Sequence, residues 1–187
     1  MAHIPLPEGA TGIRALFAFR PESAQPMADL ANTLLHAPNS LTPGERELIA
    51  AYVSSLNDCA FCLDSHAAIA SCHFGNDEGL VHSVVTDPAT AEISDKLKAL
   101  LHIAARVQQS GSLVRPLDVE RARQQGASDV EIHDTVLIAA AFCMFNRYVD
   151  GLGAGASSDP TSLRERARLV AEHGYSISLP QPPTLVA

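Results

Sequence analysis

Two helix start signals constrain the fold of this 187-residue chain more than any other feature. Thr42-Pro43-Gly44-Glu45 offers an N-cap, a proline at the first helical position and a capping-box glutamate. Ser128-Asp-Val-Glu131 is a second capping box. The first box predicts a helix that runs to about Asn57. The second opens a largely apolar helix that runs to about Gly151, and its few polar side chains predict a position at the centre of the core.

Six further helices are predicted from apolar periodicity and from glycine, proline and Asx breaks. They cover residues 23–36, 59–73, 77–86, 93–109, 116–125 and 161–173. No alternation typical of strands competes with this pattern, and low aromatic content with abundant alanine and leucine also favours helices. The fold class is therefore predicted to be all-α, a single-domain bundle of about seven or eight helices.

Three segments are predicted along the chain. Residues 1–20 are predicted to be an extended arm, because prolines and glycines there discourage regular structure. Residues 21–175 form the helical domain, with a core at about 40–155. Residues 176–187 form a Pro-rich tail that would wrap a neighbour.

Composition and charge exclude several classes of function. Hydrophobic residues make up 47% of the chain and charged residues 18%, which predicts a real core rather than disorder. The net charge of −8 and the lack of a Lys or Arg cluster argue against nucleic-acid binding. The start of the chain lacks the features of a secretory signal, and the longest apolar run, Val136–Phe145, is too short to cross a bilayer. We therefore expect no membrane association and a cytoplasmic, reducing compartment, in which a CxxC pair is more often catalytic, redox-active or metal-binding than a static disulfide.

The strongest functional feature is Cys59-Ala-Phe-Cys62, followed by His66 and preceded by Glu47. On a helix, Cys59, Cys62 and His66 fall within an arc of roughly 60° on one face. If the preceding helix folds back at Asn57-Asp58, Glu47 lies roughly 15 Å along one arm and His66 roughly 12 Å along the other, at similar depth. Glu47 would then orient His66 or relay its proton.

These residue types suit thiol chemistry. The thiolate is the nucleophile, and a nearby imidazole together with the positive end of a helix lowers a thiol pKa. Attack on a peroxide gives a sulfenic acid, and a second thiol condenses with it to form a disulfide that an external reductant reopens.

Alternatives to a peroxidase remain open at this point. The CxxC pair would also serve a dithiol–disulfide oxidoreductase, or a redox-sensing module without turnover. A zinc site made of Cys59, Cys62, His66 and His73 is disfavoured, because ligands along one helix do not easily surround a tetrahedral ion. The pair is also compatible with two small buried core residues.

The chain resembles the alkylhydroperoxidase D-like proteins of the carboxymuconolactone decarboxylase superfamily. The resemblance rests on Glu47, eleven intervening residues, and then Cys59-x-x-Cys62-x-x-x-His66. The segment around this motif and the later Phe145-Asn-Arg-Tyr-Val-Asp-Gly-Leu-Gly153 are similar to the peroxidase-related branch. The resemblance covers roughly residues 40–155.

This resemblance implies an all-α fold, assembly as homo-trimers or hexamers, and neither a metal nor any cofactor beyond the redox-active disulfide. It implies that Cys62 is peroxidatic, that Cys59 is resolving, and that His66 and Glu47 form a proton relay. The partners would be a small hydroperoxide and a dithiol or protein reductant, and the function antioxidant defence. The best-known members carry a histidine between the two cysteines, where this chain has Phe61. Superfamily decarboxylases lack the CxxC pair, which argues against lactone decarboxylation here.

Other residues receive simpler interpretations. Asn146 and Arg147 interrupt the apolar helix, and a structural role is favoured for both, with Arg147 pairing with Asp150 or a neighbouring subunit. Cys72 and Cys143 have no partner by spacing and are predicted to lie in the core. Phe61 is predicted to pack in the core, or to shield the thiols and favour an apolar peroxide.

Overall fold

The computed structural model describes residues 2–155 and 159–175. Within these ranges the chain forms nine α-helices, a 3-10 turn at Gly111–Leu113, and no β-strand. The helices are α1 (Ile13–Phe19), α2 (Pro21–Leu35), α3 (Pro43–Leu56), α4 (Ala60–His73), α5 (Glu78–Thr86), α6 (Asp95–Gln109), α7 (Pro116–Gln124), α8 (Asp129–Gly151) and α9 (Pro160–His173). The all-α class is confirmed, and the eight predicted helices correspond to α2–α9. The Pro-rich tail predicted at 176–187 lies outside the described residues.

The extended arm predicted for residues 1–20 is wrong in its second half, where the chain forms α1. The helix-breaking prolines and glycines all lie at or before Gly12, the N-cap of α1, whose φ of 60° is readily accessible to glycine. Beyond it, Ala15, Leu16 and Phe17 are buried, so packing stabilises a helix of seven residues that has little propensity to form alone. The backbone N–H of Gly12 donates to the carbonyl of Ala154 and ties the arm to the end of α8.

Helices α3 and α4 form a tight hairpin that carries the CxxC motif. The capping box at Thr42 and Glu45 is present, with each side chain accepting from the other residue's backbone N–H. Asp58 turns the chain with φ of 57°, and the Cys59 N–H donates to the carbonyl of Ser54. Local sequence signals therefore fix both ends of α3, the helix that carries Glu47.

Two helices run through the centre of the bundle. α3 packs against α2, α4, α5, α6 and α8, and α8 packs against α1, α2, α3, α6 and α7. The predicted central position of α8 is confirmed, since Ile138, Ala139, Phe142 and Val149 are almost completely buried. A smaller apolar cluster surrounds the cysteines and includes Leu16 of α1. The redox motif therefore lies between the main core and the N-terminal segment.

None of the helices in the described part of the chain combines the length and the apolar character that crossing a bilayer requires.

We expect Thr42→Ala to lower the free energy of unfolding by about 1 kcal/mol, because it removes the hydroxyl that caps α3. Chemical denaturation followed by circular dichroism measures this change. Thr42→Ser retains the hydroxyl and serves as the matched control. Equal stability of the alanine and serine variants would contradict the prediction.

Candidate active site

The α3–α4 hairpin brings the predicted acid and imidazole into contact. The Nδ1 atom of His66 lies 2.7 Å from Oε2 of Glu47, although 19 residues separate them along the chain. The Glu47 side chain is 2% exposed and that of His66 is 13% exposed. A buried carboxylate is stable only when hydrogen bonds satisfy it, and His66 supplies one of them. With Nδ1–H donating to Glu47, the neutral imidazole has its free lone pair on Nε2.

The two thiols occupy the start of α4. Cys59 is the N-cap residue and Cys62 lies in the first turn, and both side chains are buried. Both belong to one apolar cluster with Val149 and Ala154. The sequence predicted both sulfurs on one face of the helix. Their direct interaction agrees with this prediction and is the largest cause of the pKa shift of each thiol.

The pKa values of the two thiols move in opposite directions. A hydrogen bond from the Cys59 thiol lowers the pKa of Cys62, and the charge of His66 and a hydrogen bond from Asn146 lower it further against the effect of burial. The interaction with Cys62, burial and the Asp150 carboxylate raise the pKa of Cys59. The surroundings therefore favour a thiolate at Cys62 and a protonated thiol at Cys59. Position near the helix N-terminus alone would have favoured Cys59.

Tyr175 is part of the same cluster and was not found by sequence reasoning. Its hydroxyl donates to Oε1 of Glu47 at 2.5 Å and lies 3.1 Å from Nδ1 of His66. Burial and the Glu47 charge raise the pKa of Tyr175 well above its ordinary value, which keeps the hydroxyl protonated as a donor. Tyr175 lies 128 residues from Glu47, just beyond α9, and no motif or spacing links the two in the sequence.

Asn146 connects the redox motif to the rest of the core. Its amide nitrogen donates to Oγ of Ser54, and its amide oxygen accepts from Nδ2 of Asn57 at 2.8 Å. Gln108 in turn donates to the side chain of Asn57. Asn146 thus holds the turn of the hairpin and also acts on Cys62, so the structural role predicted for it covers only part of its contacts.

Two further polar residues of α8, Arg147 and Asp150, make different contacts. Arg147 is exposed and donates to the backbone carbonyl of Cys143, one turn earlier in the helix. Asp150 interacts instead with the thiol of Cys59. The sequence predicted Asp150 only as an ion-pair partner for Arg147. Its place next to Val149 in the sequence does not indicate that Cys59 lies nearby in the fold.

The reactive groups open into a small cavity of about 90 Å³. Its walls are mainly apolar and include Phe61, Ile69, Phe142 and Phe145, together with Cys62 and His66. The Phe142 ring packs edge-to-face with the imidazole of His66, with 4.6 Å between the two ring centroids, and restricts the orientation of the imidazole. Phe61 lines this cavity, and its ring packs so closely on Gly12 that a side chain at that glycine would overlap it.

The remaining cysteines and His73 lie apart from this cluster. Cys143 packs against the main core and Cys72 packs against α9, and both are half-buried. His73 packs against Gly44 at the start of α3, and burial lowers its pKa. Among residues 2–155 and 159–175, no three His, Cys, Asp or Glu side chains are grouped so that they could hold a metal ion.

Comparisons with known proteins agree with this fold. The profile of the Carboxymuconolactone decarboxylase family matches residues 21–106, a range that includes Glu47, both motif cysteines and His66. No curated protein matches the sequence of this chain.

Solved structures extend the likeness beyond the matched range. A peroxidase-related protein from Silicibacter sp. TM1040 is 27% identical with a TM-score of 0.71, over 76% of this chain and 74% of that protein. An alkylhydroperoxidase AhpD core protein from Ralstonia eutropha JMP134, also described as peroxidase-related, is 23% identical with a TM-score of 0.78, over 89% and 96%. A protein of unknown function from Agrobacterium tumefaciens, proposed to act in antioxidant defence, is 21% identical with a TM-score of 0.66, over 85% and 100%.

These findings define an alkylhydroperoxidase D-like fold. They confirm the resemblance of the chain to the peroxidase-related proteins of the carboxymuconolactone decarboxylase superfamily.

We expect the alkylation rate of Cys62 to reach its plateau at a lower pH than that of Cys72. Only the thiolate reacts; the pKa of Cys62 is lowered, whereas burial raises the pKa of Cys72. Reaction with iodoacetamide across a pH series, resolved by peptide mass spectrometry, measures both midpoints in one sample. His66→Asn should move the Cys62 midpoint to higher pH and leave that of Cys72 in place. Coincident midpoints in the unchanged protein would contradict the prediction.

Proposed function

We propose that this protein is a thiol-dependent hydroperoxide reductase that acts in antioxidant defence. The observation that carries the proposal is a pair of buried thiols at the start of α4, the helix whose His66 imidazole is held by the buried Glu47 carboxylate. A pair of inert core cysteines would not need a charged partner network. The likeness to peroxidase-related proteins supports the same activity.

The first half-reaction uses Cys62 and His66. The Cys62 thiol gives its proton to Nε2 of His66, and Glu47 stabilises the imidazolium through Nδ1. The thiolate attacks the distal peroxide oxygen, so that an S–O bond forms as the O–O bond breaks. The leaving alkoxide takes the proton from His66 and departs as an alcohol. Cys62 is then a sulfenic acid.

The second half-reaction uses Cys59. Its thiol gives up a proton, for which the neighbouring Asp150 carboxylate is the acceptor, and attacks the Cys62 sulfur. A Cys59–Cys62 disulfide forms and water leaves. An external dithiol reduces this disulfide by exchange and becomes a disulfide itself. The balance is one hydroperoxide and one dithiol converted into an alcohol, water and a disulfide. No metal or other cofactor takes part in this scheme.

The burial of both thiols favours a peroxide over a protein disulfide as the oxidant. Cys59 is 0% exposed and Cys62 is 4% exposed, and the adjoining cavity admits only a small group. A protein disulfide would have to reach a sulfur that the apolar walls cover. The same burial favours a small dithiol over a dithiol-bearing protein as the reductant. Assembly as a trimer or hexamer is a further part of the proposal.

Stoichiometric organic hydroperoxide should convert the reduced protein into a form with a Cys59–Cys62 disulfide, detected by mass spectrometry after alkylation. Cys62→Ser should reduce peroxide turnover to background, because the nucleophile is lost. Cys59→Ser should accumulate oxidised Cys62, and Cys72→Ser should behave as the unchanged protein. Turnover that persists in Cys62→Ser would overturn the proposal.

Tyr175→Phe should lower kcat about tenfold, the loss expected for one hydrogen bond to a charged group. Without the Tyr175 hydroxyl, Oε1 of the buried Glu47 carboxylate loses this donor, and Glu47 holds His66 less firmly in position. Tyr52→Phe, at a half-buried tyrosine on α3, is the matched control. An unchanged kcat in Tyr175→Phe would assign the residue a packing role only.

A further inference from the structure

The backbone of Tyr175 is bound by a side chain from α2. Oδ1 of Asn32, in the last turn of that helix, accepts from the Tyr175 N–H at 3.0 Å, although 143 residues separate the two along the chain. The hydroxyl at the other end of the same tyrosine donates to Glu47 on α3. Tyr175 therefore spans the distance between two helices and is held at both of its ends.

The turn before Tyr175 packs directly on the same end of α2. Gly174 ends α9 with φ of 74°, a left-handed conformation that glycine adopts without strain. A Cβ atom at this position would lie 2.4 Å from Oδ1 of Asn32 and 2.9 Å from Cδ2 of His36, so a side chain there would displace Asn32. Gly174 thus allows both the direction of the chain and its close approach to α2.

The hydroxyl of Tyr175 forms a triangle with Glu47 and His66. It donates to Oε1 of Glu47, and its oxygen lies 3.1 Å from Nδ1 of His66, which in turn contacts Oε2 of the same carboxylate. The phenol and imidazole rings are stacked at an angle of 23°, with their centroids 6.0 Å apart. Each of the three groups restricts the other two, so a displaced Tyr175 would leave the imidazole freer to turn.

Asn32 determines where the backbone of Tyr175 lies. Within the described ranges Tyr175 forms hydrogen bonds with Asn32, Glu47 and His66, and Asn32 is the partner that binds its backbone. A backbone N–H that loses its acceptor has to reach another acceptor or water, because an unpaired amide costs free energy. Loss of the Asn32 oxygen would therefore let the turn after α9 carry the phenol away from Glu47.

We propose that Asn32 is a positioning residue of the active site, which acts through the backbone of Tyr175 to hold the Tyr175 hydroxyl against Glu47 and His66. Gly174 permits the close contact that this role requires. The effect of Asn32 on catalysis rests on the proposed peroxidase function, whereas its effect on Tyr175 does not.

Ionisation of the Tyr175 hydroxyl tests this inference without any turnover. The chain has three tyrosines and no tryptophan, so a Tyr52→Phe/Tyr148→Phe protein reports Tyr175 alone by ultraviolet absorbance during an alkaline titration. Burial and the charge of Glu47 raise the pKa of Tyr175 well above its ordinary value. Asn32→Ala in this protein should release the hydroxyl from both influences and lower its pKa towards the ordinary value.

Matched variants separate positioning from a general loss of structure. Asn32→Asp keeps an oxygen that can accept from the Tyr175 N–H, and it should retain the raised pKa of Tyr175. Gly174→Ala should reproduce the effect of Asn32→Ala, because its side chain displaces Asn32. Thr33→Ala, at the exposed neighbouring position on α2, should titrate as the unchanged protein does. A raised pKa that persists in Asn32→Ala, or a pKa lowered equally in Asn32→Asp and Asn32→Ala, would overturn the inference.

Turnover distinguishes this inference from the proposed function. Asn32→Ala should lower kcat for an organic hydroperoxide about threefold to tenfold, and no further than Tyr175→Phe does, while Asn32→Asp should restore it. The double variant Asn32→Ala/Tyr175→Phe should have the kcat of Tyr175→Phe, because Asn32 acts through that hydroxyl. Losses that multiply in the double variant would refute the positioning role and leave the peroxidase in place. A lowered Tyr175 pKa in Asn32→Ala, in a protein that reduces no hydroperoxide, would support the contact and refute the peroxidase.

Discussion

The contact between Glu47 and His66 is the interaction on which the rest of the site depends. A carboxylate that is 2% exposed is costly unless donors satisfy it, and it receives two, from His66 and from Tyr175. Both donors require that α4 and the end of α9 pack at the depth of Glu47. The capping box of α3 and the left-handed turn at Asp58 set that depth from the other side. The packing of this hairpin therefore also assembles the Glu47–His66 pair.

The environment of the hairpin makes two adjacent thiols unequal. The hydrogen bond between the two thiols lowers the pKa of Cys62 and raises that of Cys59, and His66 and Asn146 lower the pKa of Cys62 further. Position near the N-terminus of α4 would not create this difference, because it alone would favour a thiolate at Cys59. His66, one turn after Cys62 on α4, and Asn146 of α8 favour the thiolate at Cys62 instead. A redox pair needs this division, since one sulfur must attack peroxide while the other stays protonated until the sulfenic acid has formed.

The sequence predicts those parts of the structure that local signals determine. Capping boxes, glycine breaks and apolar periodicity are properties of contiguous residues, and they were sufficient for α2–α9 and for the meeting of Glu47 with His66. Helix α1 was missed because seven residues carry little periodicity and its stability comes from tertiary burial of Leu16 and Phe17. Tyr175 and Asp150 were missed for a related reason. Their contacts join distant segments, and a single tyrosine after a glycine or a single aspartate near a helix end has no local pattern that distinguishes it from a surface residue.

Position 61 is where this chain departs from the pattern of the family that it resembles. The best-known members carry a histidine between the two cysteines, where this chain has Phe61. The hydroxyl of Tyr175 adds a donor to the Glu47–His66 pair from the other side, so the pair here has a polar third member of its own. The phenyl ring instead packs on Gly12 and lines the cavity that holds Cys62. Position 61 therefore carries part of the apolar wall of this cavity where a histidine would carry a proton, and the polar contacts of His66 come from Glu47 and Tyr175.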